Sequence, residues 1–166
     1  SSDLALRRGR WSESGRTYLV TFTTTARNPV FADWQLAVGM VRASRSPHIW
    51  RASRLLCWVL MPDHWHGLVE IGAMDTLSQL INRVKGSTSR AVQLLRDTRG
   101  HLWSKGFHDH AVRRDEDLLA IARYVICNPV RAGLVARVGE YPYWDAVWLD
   151  GDSQQAVECG GGQLDR

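Results

Sequence analysis

One continuous stretch, residues 54–71, constrains the fold more than any other part of the chain. Arg54 to Met61 is a nearly uninterrupted apolar run, which is typical of a buried strand. Pro62 and Asp63 follow as a tight-turn signal, and the segment from His64 to Ile71 has the pattern of a second strand. The two segments are therefore predicted to pair as a β-hairpin.

Strands and helices alternate on either side of this hairpin. A cluster of β-branched and aromatic residues predicts a strand at 17–25, and residues 107–113 have the pattern of a shorter strand. Apolar residues at helical spacing predict helices at 33–44, from a cap at Asp75 or Thr76 to Gly100, and from an acidic start at 115–117 to Cys127. This order predicts an α+β fold, a ferredoxin-like antiparallel sheet with helices packed on one face.

The length of 166 residues fits one domain. We expect residues 16–148 to form it, preceded by a basic flexible arm at 1–15 and followed by a Gly-rich disordered tail at 149–166. The formal net charge of +4 permits a polyanionic partner without requiring one.

The cysteines and the hydropathy bear on where the chain works. Cys57, Cys127 and Cys159 are odd in number and widely spaced, which fits neither a disulfide framework nor a zinc knuckle. No apolar run approaches the ~18 residues of a membrane span, and the N-terminus lacks the apolar core of a signal peptide. We therefore expect a cytoplasmic protein with reduced thiols and no membrane partner.

His64 and His66 form the first chemically suggestive pair. They are two residues apart in a predicted strand, so both imidazoles point to the same face of the sheet. Two neutral imidazoles on one rigid face supply half of a metal site, although a hydrogen-bonded surface pair would give the same pattern.

Tyr124 is the second suggestive residue. On a helical wheel it lies well off the apolar stripe of the last predicted helix, and Asn128 follows it one turn later. A tyrosine in that position is either a reactive group at a site or a rim residue with its hydroxyl in water.

Residues 60–69, with the sequence LMPDHWHGLV, resemble the metal-binding motif of single-tyrosine HUH transposases. Residues 124–135, with the sequence YVICNPVRAGLV, resemble the nucleophile helix of the branch called REP-associated tyrosine transposases. Residues 103–113 resemble the stretch between these motifs, and the resemblance spans about 16–148. Trp65 and Cys127 depart from the residues usual at their positions, and neither is a reacting group.

The resemblance implies a ferredoxin-like catalytic domain, a divalent cation (Mg²⁺ or Mn²⁺) and single-stranded DNA substrates with REP-like hairpin elements. It implies that Tyr124 is the catalytic nucleophile, which forms a covalent 5′-phosphotyrosine link, and that Asn128 joins His64 and His66 as a metal ligand. The chemistry would then be DNA nicking and strand transfer by a monomer or a homodimer.

Further residues have both a functional and a structural interpretation. Asp63 could orient an adjacent imidazole or only form the turn, and Glu70 could be an extra ligand or a solvated strand residue. The pair His108 and His110 could contact phosphate or approach the metal. The candidate DNA-binding residues are Arg83, Lys85, Arg90, Arg131 and His110, with a solvated surface as the alternative.

Two other functions fit the same residues. A metal-dependent hydrolase would use His64, His66 and a carboxylate to activate water and would not need Tyr124. A non-catalytic hairpin-DNA-binding module would bind DNA and form no covalent adduct.

Overall fold

The computed structural model describes residues 16–113, 116–148 and 157–160. The predicted arm at 1–15 and most of the predicted tail, 149–156 and 161–166, lie outside the described residues.

The described strands form one five-stranded antiparallel sheet in the order β4-β1-β3-β2-β5. They are β1 (Arg16–Thr23), β2 (Ser53–Met61), β3 (His64–Ile71), β4 (His108–Ala111) and β5 (Trp144–Ala146). The predicted hairpin is confirmed, since Met61 pairs with His64 across the turn. The first four strands have the ferredoxin-like order, and the predicted α+β fold class is confirmed. The short strand β5 was not predicted, because three residues carry too little periodic signal.

The described α-helices are α1 (Trp34–Ser44), α2 (Leu77–Leu95), α3 (Leu118–Ile126) and the single turn α4 (Asn128–Arg131). Side-chain oxygens cap the first three helices. Asp33 and Asp117 accept from backbone N–H groups of α1 and α3, while Thr76 and Gln79 form a capping box at α2. Helix α2 ends before Gly100, because Asp97 adopts a left-handed backbone conformation with φ of 48°.

The helices cover both faces of the sheet, which corrects the prediction that they share one face. Helices α1 and α2 pack on one face through residues such as Met40 and Ile81, and α3 packs on the other through Ala122 and Val125. The uninterrupted apolar run of β2 explains this arrangement. Trp58 and Leu60 join the first core, whereas Cys57 and Val59 join the second, so both faces of the strand are buried.

Aromatic packing fixes the orientation of β3. Trp65 is fully buried and stacks on Phe22 with ring centroids 5.1 Å apart, and Trp103 meets Phe22 edge-on at 4.6 Å. A Cβ at Gly67 would lie 2.3 Å from the Trp65 ring, so the absence of a side chain at position 67 makes room for the indole. With Trp65 held on the α1–α2 face, the strand's alternation directs its two neighbouring histidines to the α3 face.

Within the described ranges, no helix is both long enough and apolar enough to cross a membrane.

Candidate active site

The two histidines lie at the start of β3, beside the turn, on the face that α3 covers. His64 pairs with Thr23 of β1 and Met61 of β2, and His66 pairs with Thr21 and Val59. The His64 side chain is 16% exposed and His66 is 9% exposed. Both histidines are therefore held in the sheet by neighbouring strands and are largely shielded from solvent.

Asp63 orients the first imidazole. Its Oδ1 lies 2.8 Å from His64 Nδ1, and Arg27 Nε donates to its Oδ2 at 3.0 Å. Partial burial alone would raise the pKa of Asp63, but the hydrogen bond and charge of His64, together with Arg27, outweigh it and hold the pKa below its ordinary value. A carboxylate that accepts from Nδ1 leaves the Nε2 lone pair of His64 available for a ligand.

Asn128 completes a three-residue cluster. Its Nδ2 lies 3.5 Å from His64 Nε2 and 3.4 Å from His66 Nδ1. A flip of the amide that exchanges Nδ2 and Oδ1 places the oxygen beside the two rings, so the side chain can present either a donor or an acceptor to them. The helix is interrupted at Cys127, between α3 and α4, so Asn128 lies at the start of α4.

The donor set fits a divalent cation. Burial, with smaller coulombic contributions from His64 and Arg131, lowers the pKa of His66 to about 4, so the His66 ring is neutral at physiological pH and its lone pair is free. Two imidazole nitrogens and one amide oxygen suit manganese or magnesium, with nitrogen favouring manganese. Among the described residues no group of three or more His, Cys, Asp and Glu side chains could hold a metal, so the amide of Asn128 is essential to this set.

Tyr124 lies beside this cluster on the exposed side of α3. Its side chain is 42% exposed, while Ala122, Val125 and Ile126 of the same helix are buried against the sheet. The Tyr124 ring meets the His66 ring edge-on, with centroids 6.4 Å apart. The phenol is therefore open to a substrate and adjacent to the proposed metal ligands.

Arg131 contacts Tyr124 directly, which sequence reasoning missed. Its guanidinium carbon lies 3.8 Å from the centroid of the Tyr124 ring, and its Nη1 donates to the Tyr124 carbonyl oxygen at 2.6 Å. The two residues are seven apart, a spacing of about two helical turns that places them on one side of a helix. That spacing was visible in the sequence, but the break at Cys127 made a continuous helical wheel unreliable there.

Two of the candidate DNA-binding residues have partners within the protein. Arg83 forms an ion pair with Asp75 at 2.5 Å and also donates to the Ile49 carbonyl, and its side chain is only 17% exposed. Lys85 Nζ donates to the Ser104 and Gly106 carbonyls at 2.7 and 2.8 Å. Both residues therefore brace α2 against neighbouring loops, which gives each of them a structural role beside the predicted contact with DNA.

Arg90 and His110 remain accessible. Arg90 is exposed on α2, where its guanidinium approaches the Ser87 hydroxyl at 3.5 Å. His110 is 53% exposed and lies 3.0 Å from Glu116. His108 occupies the same sheet row as Thr21 and His66, because β4 pairs with β1 and β1 with β3. The structure separates this second histidine pair from the first by an entire strand.

A disulfide joins Cys127 to Cys159, which corrects the expectation of reduced, unpaired cysteines. Cys57 is buried and free. The bond also corrects the prediction of disorder at residues 157–160, since Val157 and Cys159 pack against the core cluster that includes Ala122 and Val125 of α3. The sequence separation of 32 residues gave no pairing signal, and the partners meet only because the tail returns to the helix.

Known proteins share sequence similarity with this chain. The family model described as IS200-like transposase matches residues 13–128. The REP-associated tyrosine transposase of Escherichia coli (strain K12) is 27% identical over 94 residues, which are 56% of this chain and 54% of that protein. A relative from Haemophilus influenzae is 28% identical over 95 residues, 51% of this chain and 53% of that protein. The chain thus spans about half the length of these curated relatives.

A solved structure also shares the fold. A REP-associated tyrosine transposase bound to a REP hairpin superposes with a TM-score of 0.62 at 20% sequence identity, covering 81% of this chain and 79% of the other. At this identity the likeness establishes the fold.

Proposed function

The chain belongs to the IS200-like transposase family, and we propose that it cuts and rejoins single-stranded DNA through a covalent bond between Tyr124 and a 5′-phosphate. The observation that carries this proposal is the position of an exposed phenol beside two imidazoles and an amide. The Tyr124 and His66 ring centroids are 6.4 Å apart, a separation that a single phosphodiester can span. Tyr124 is neither one of the buried residues of α3 nor its capping residue, so packing and capping do not explain a tyrosine at this position.

His64, His66 and Asn128 would hold Mg²⁺ or Mn²⁺, with Asp63 fixing the His64 ring. The bound cation would supply Lewis-acid polarisation of a non-bridging phosphate oxygen. This assistance matters because a free phenol has a pKa of ~10 and is a weak nucleophile at neutral pH.

Tyr124 then supplies the reacting atom. Its Oη forms a bond to phosphorus as the bond from phosphorus to the 3′-oxygen breaks, and the phenolic proton passes to solvent while the departing 3′-oxygen is protonated. The product is a 5′-phosphotyrosine and a free 3′-hydroxyl. Attack by a second 3′-hydroxyl reverses the step, releases the phenol and completes strand transfer without an external energy source.

We propose hairpin-bearing single-stranded DNA as the partner. The relative of known structure is bound to a REP hairpin, and the net charge of +4 is compatible with a polyanion. Arg90 and His110 are the accessible side chains that we assign to the DNA backbone. The enzyme would act as a monomer or homodimer. We propose the cytoplasm as its location because its substrate would be DNA, and the Cys127–Cys159 disulfide would then be unusual for that compartment.

A labelled-DNA experiment tests the reaction. A pool of hairpin oligonucleotides with randomised single-stranded flanks is incubated with the protein and Mn²⁺ and resolved on a denaturing gel. A label at the 3′ end should enter a protein adduct, whereas a label at the 5′ end should stay on a free fragment. Tyr124→Phe should remove the adduct, and Tyr143→Phe, which deletes a hydroxyl elsewhere, should keep it.

The two alternative functions predict different patterns on the gel. Cleavage that persists in Tyr124→Phe without an adduct would indicate a metal-dependent hydrolase. Hairpin binding with neither cleavage nor adduct across the whole pool would indicate a DNA-binding module. Either result would overturn the proposed covalent mechanism.

A further inference from the structure

The contact between Arg131 and Tyr124 links α4 to the proposed nucleophile. The guanidinium stacks on the phenol ring at 3.8 Å, and the same side chain donates from Nη1 to the Tyr124 carbonyl at 2.6 Å. One arginine therefore holds both the ring and the backbone of a single residue. A surface arginine that serves only to attract phosphate has no need of either contact.

Tyr124 is a side chain that requires such support. It is 42% exposed, so core packing encloses only part of its ring. His66 meets the ring edge-on from the sheet side, with centroids 6.4 Å apart, and Arg131 covers one ring face. Together these contacts define a direction for the phenol, and a reacting group that is free to rotate loses much of the advantage of being bound near its target.

We propose that Arg131 is a positioning residue that holds the Tyr124 ring in the orientation from which its hydroxyl attacks phosphorus. The proposal rests on the proposed nucleophilic role of Tyr124 and replaces the expectation that Arg131 chiefly binds the DNA backbone. The planar guanidinium is suited to the task, because it can stack on an aromatic face while its edge donates hydrogen bonds. A lysine carries the same charge but cannot make that pair of contacts.

The two roles of Arg131 predict different kinetics. Loss of a positioning contact lowers the rate of adduct formation at saturating DNA and leaves affinity nearly unchanged. Loss of a phosphate contact weakens binding at every salt concentration and reduces the slope of log affinity against log salt by about 1. Lys should restore a phosphate contact but not a stacked orientation.

The test compares Arg131→Ala, Arg131→Lys and the matched control Arg123→Ala, an exposed arginine of α3, the helix that carries Tyr124. A hairpin oligonucleotide that forms an adduct with the wild type is used with Mn²⁺. Single-turnover adduct formation is measured at saturating DNA, and affinity is measured across a salt series. Thermal melting confirms that each variant is folded.

We expect both Arg131 variants to form the adduct on the order of 100-fold more slowly than wild type, with affinity within about twofold and the control unchanged. A wild-type rate at saturation, or full recovery of the rate by Lys, would overturn the positioning role.

A measurement without DNA separates this proposal from the proposed function. In the wild type, the side-chain NMR resonances of Arg131 should show ring-current shifts that persist in Tyr124→Phe and vanish in Tyr124→Leu. Absence of these shifts would refute the stacked orientation even in an active enzyme. Their presence in a protein that forms no adduct would leave the stacking intact and overturn the nucleophilic role, and with it the positioning role.

Discussion

Replacing Arg83 with alanine should destabilise the folded protein without weakening its affinity for DNA. The Arg83 guanidinium pairs with the Asp75 carboxylate at 2.5 Å, and the Asp75 side chain is only 2% exposed. The hydrogen bonds of Arg83, opposed by burial and assisted by Ser53, hold the pKa of Asp75 below its ordinary value. Arg83→Ala therefore leaves a buried carboxylate without its cation.

The magnitude follows from the contacts that are lost. Removing one partner of a buried ion pair costs about 3–5 kcal/mol, and the loss of the guanidinium's hydrogen bonds to the Ile49 carbonyl adds about 1 kcal/mol. For a domain of this size, each kcal/mol lowers the melting temperature by about 2–4 °C. We expect a decrease of roughly 10–20 °C in Arg83→Ala.

Urea denaturation measures the free energy of unfolding, and gel-shift titration below the melting transition measures DNA affinity. Arg90→Ala is the matched control, because Arg90 is exposed on the same helix. It should change stability by less than about 0.5 kcal/mol and weaken DNA binding. The double variant Asp75→Asn/Arg83→Met should be more stable than Arg83→Ala, since no unpaired charge remains. An Arg83→Ala protein of wild-type stability with impaired DNA binding would refute the structural role of Arg83.

Three further outcomes are expected at the site. Because the pKa of His66 is about 4 when folded and 6.5 in the unfolded reference, the unfolded chain binds more protons between these values. The metal-free protein should therefore lose about 3 kcal/mol of stability as pH falls through that window. Urea denaturation at each pH measures the free energy of unfolding, and His66→Gln should reduce its dependence on pH. An unchanged dependence in that variant would contradict the prediction. Gly67→Ala should lower the melting temperature sharply, because its Cβ meets the Trp65 ring at 2.3 Å; a wild-type melting curve would be inconsistent with that contact. Asp63→Ala should weaken Mn²⁺ binding by about 10–100-fold in calorimetry, and undiminished affinity would exclude Asp63 as the residue that orients His64.

Local pattern was enough to predict the hairpin and the common direction of its histidines. Strand alternation depends only on neighbouring residues, and the continuous apolar run of β2 is present in the sequence itself. The same run also implied burial on both faces, which explains why α3 covers the face opposite to α1 and α2. The position of Tyr124 off the apolar stripe likewise agreed with its observed exposure.

Long-range contacts were beyond such patterns. Arg83 and Arg90 are seven residues apart on one helix, but the loop that carries Ile49 covers only the first. Cys127 and Cys159 meet because a distant tail segment returns to the core. Nothing in the local sequence of these residues specifies the partner, which the tertiary fold alone supplies.

The identity of the residue joined to DNA tests the central claim most directly. After nuclease trimming and disulfide reduction of the adduct, trypsin should release residues 124–131, whose single tyrosine is Tyr124. Mass spectrometry should find this peptide carrying a nucleotide through a 5′-phosphate, as expected of a phenol that attacks beside the histidine pair. A nucleotide on a different peptide, or cleaved DNA with the 124–131 peptide unmodified, would contradict the account.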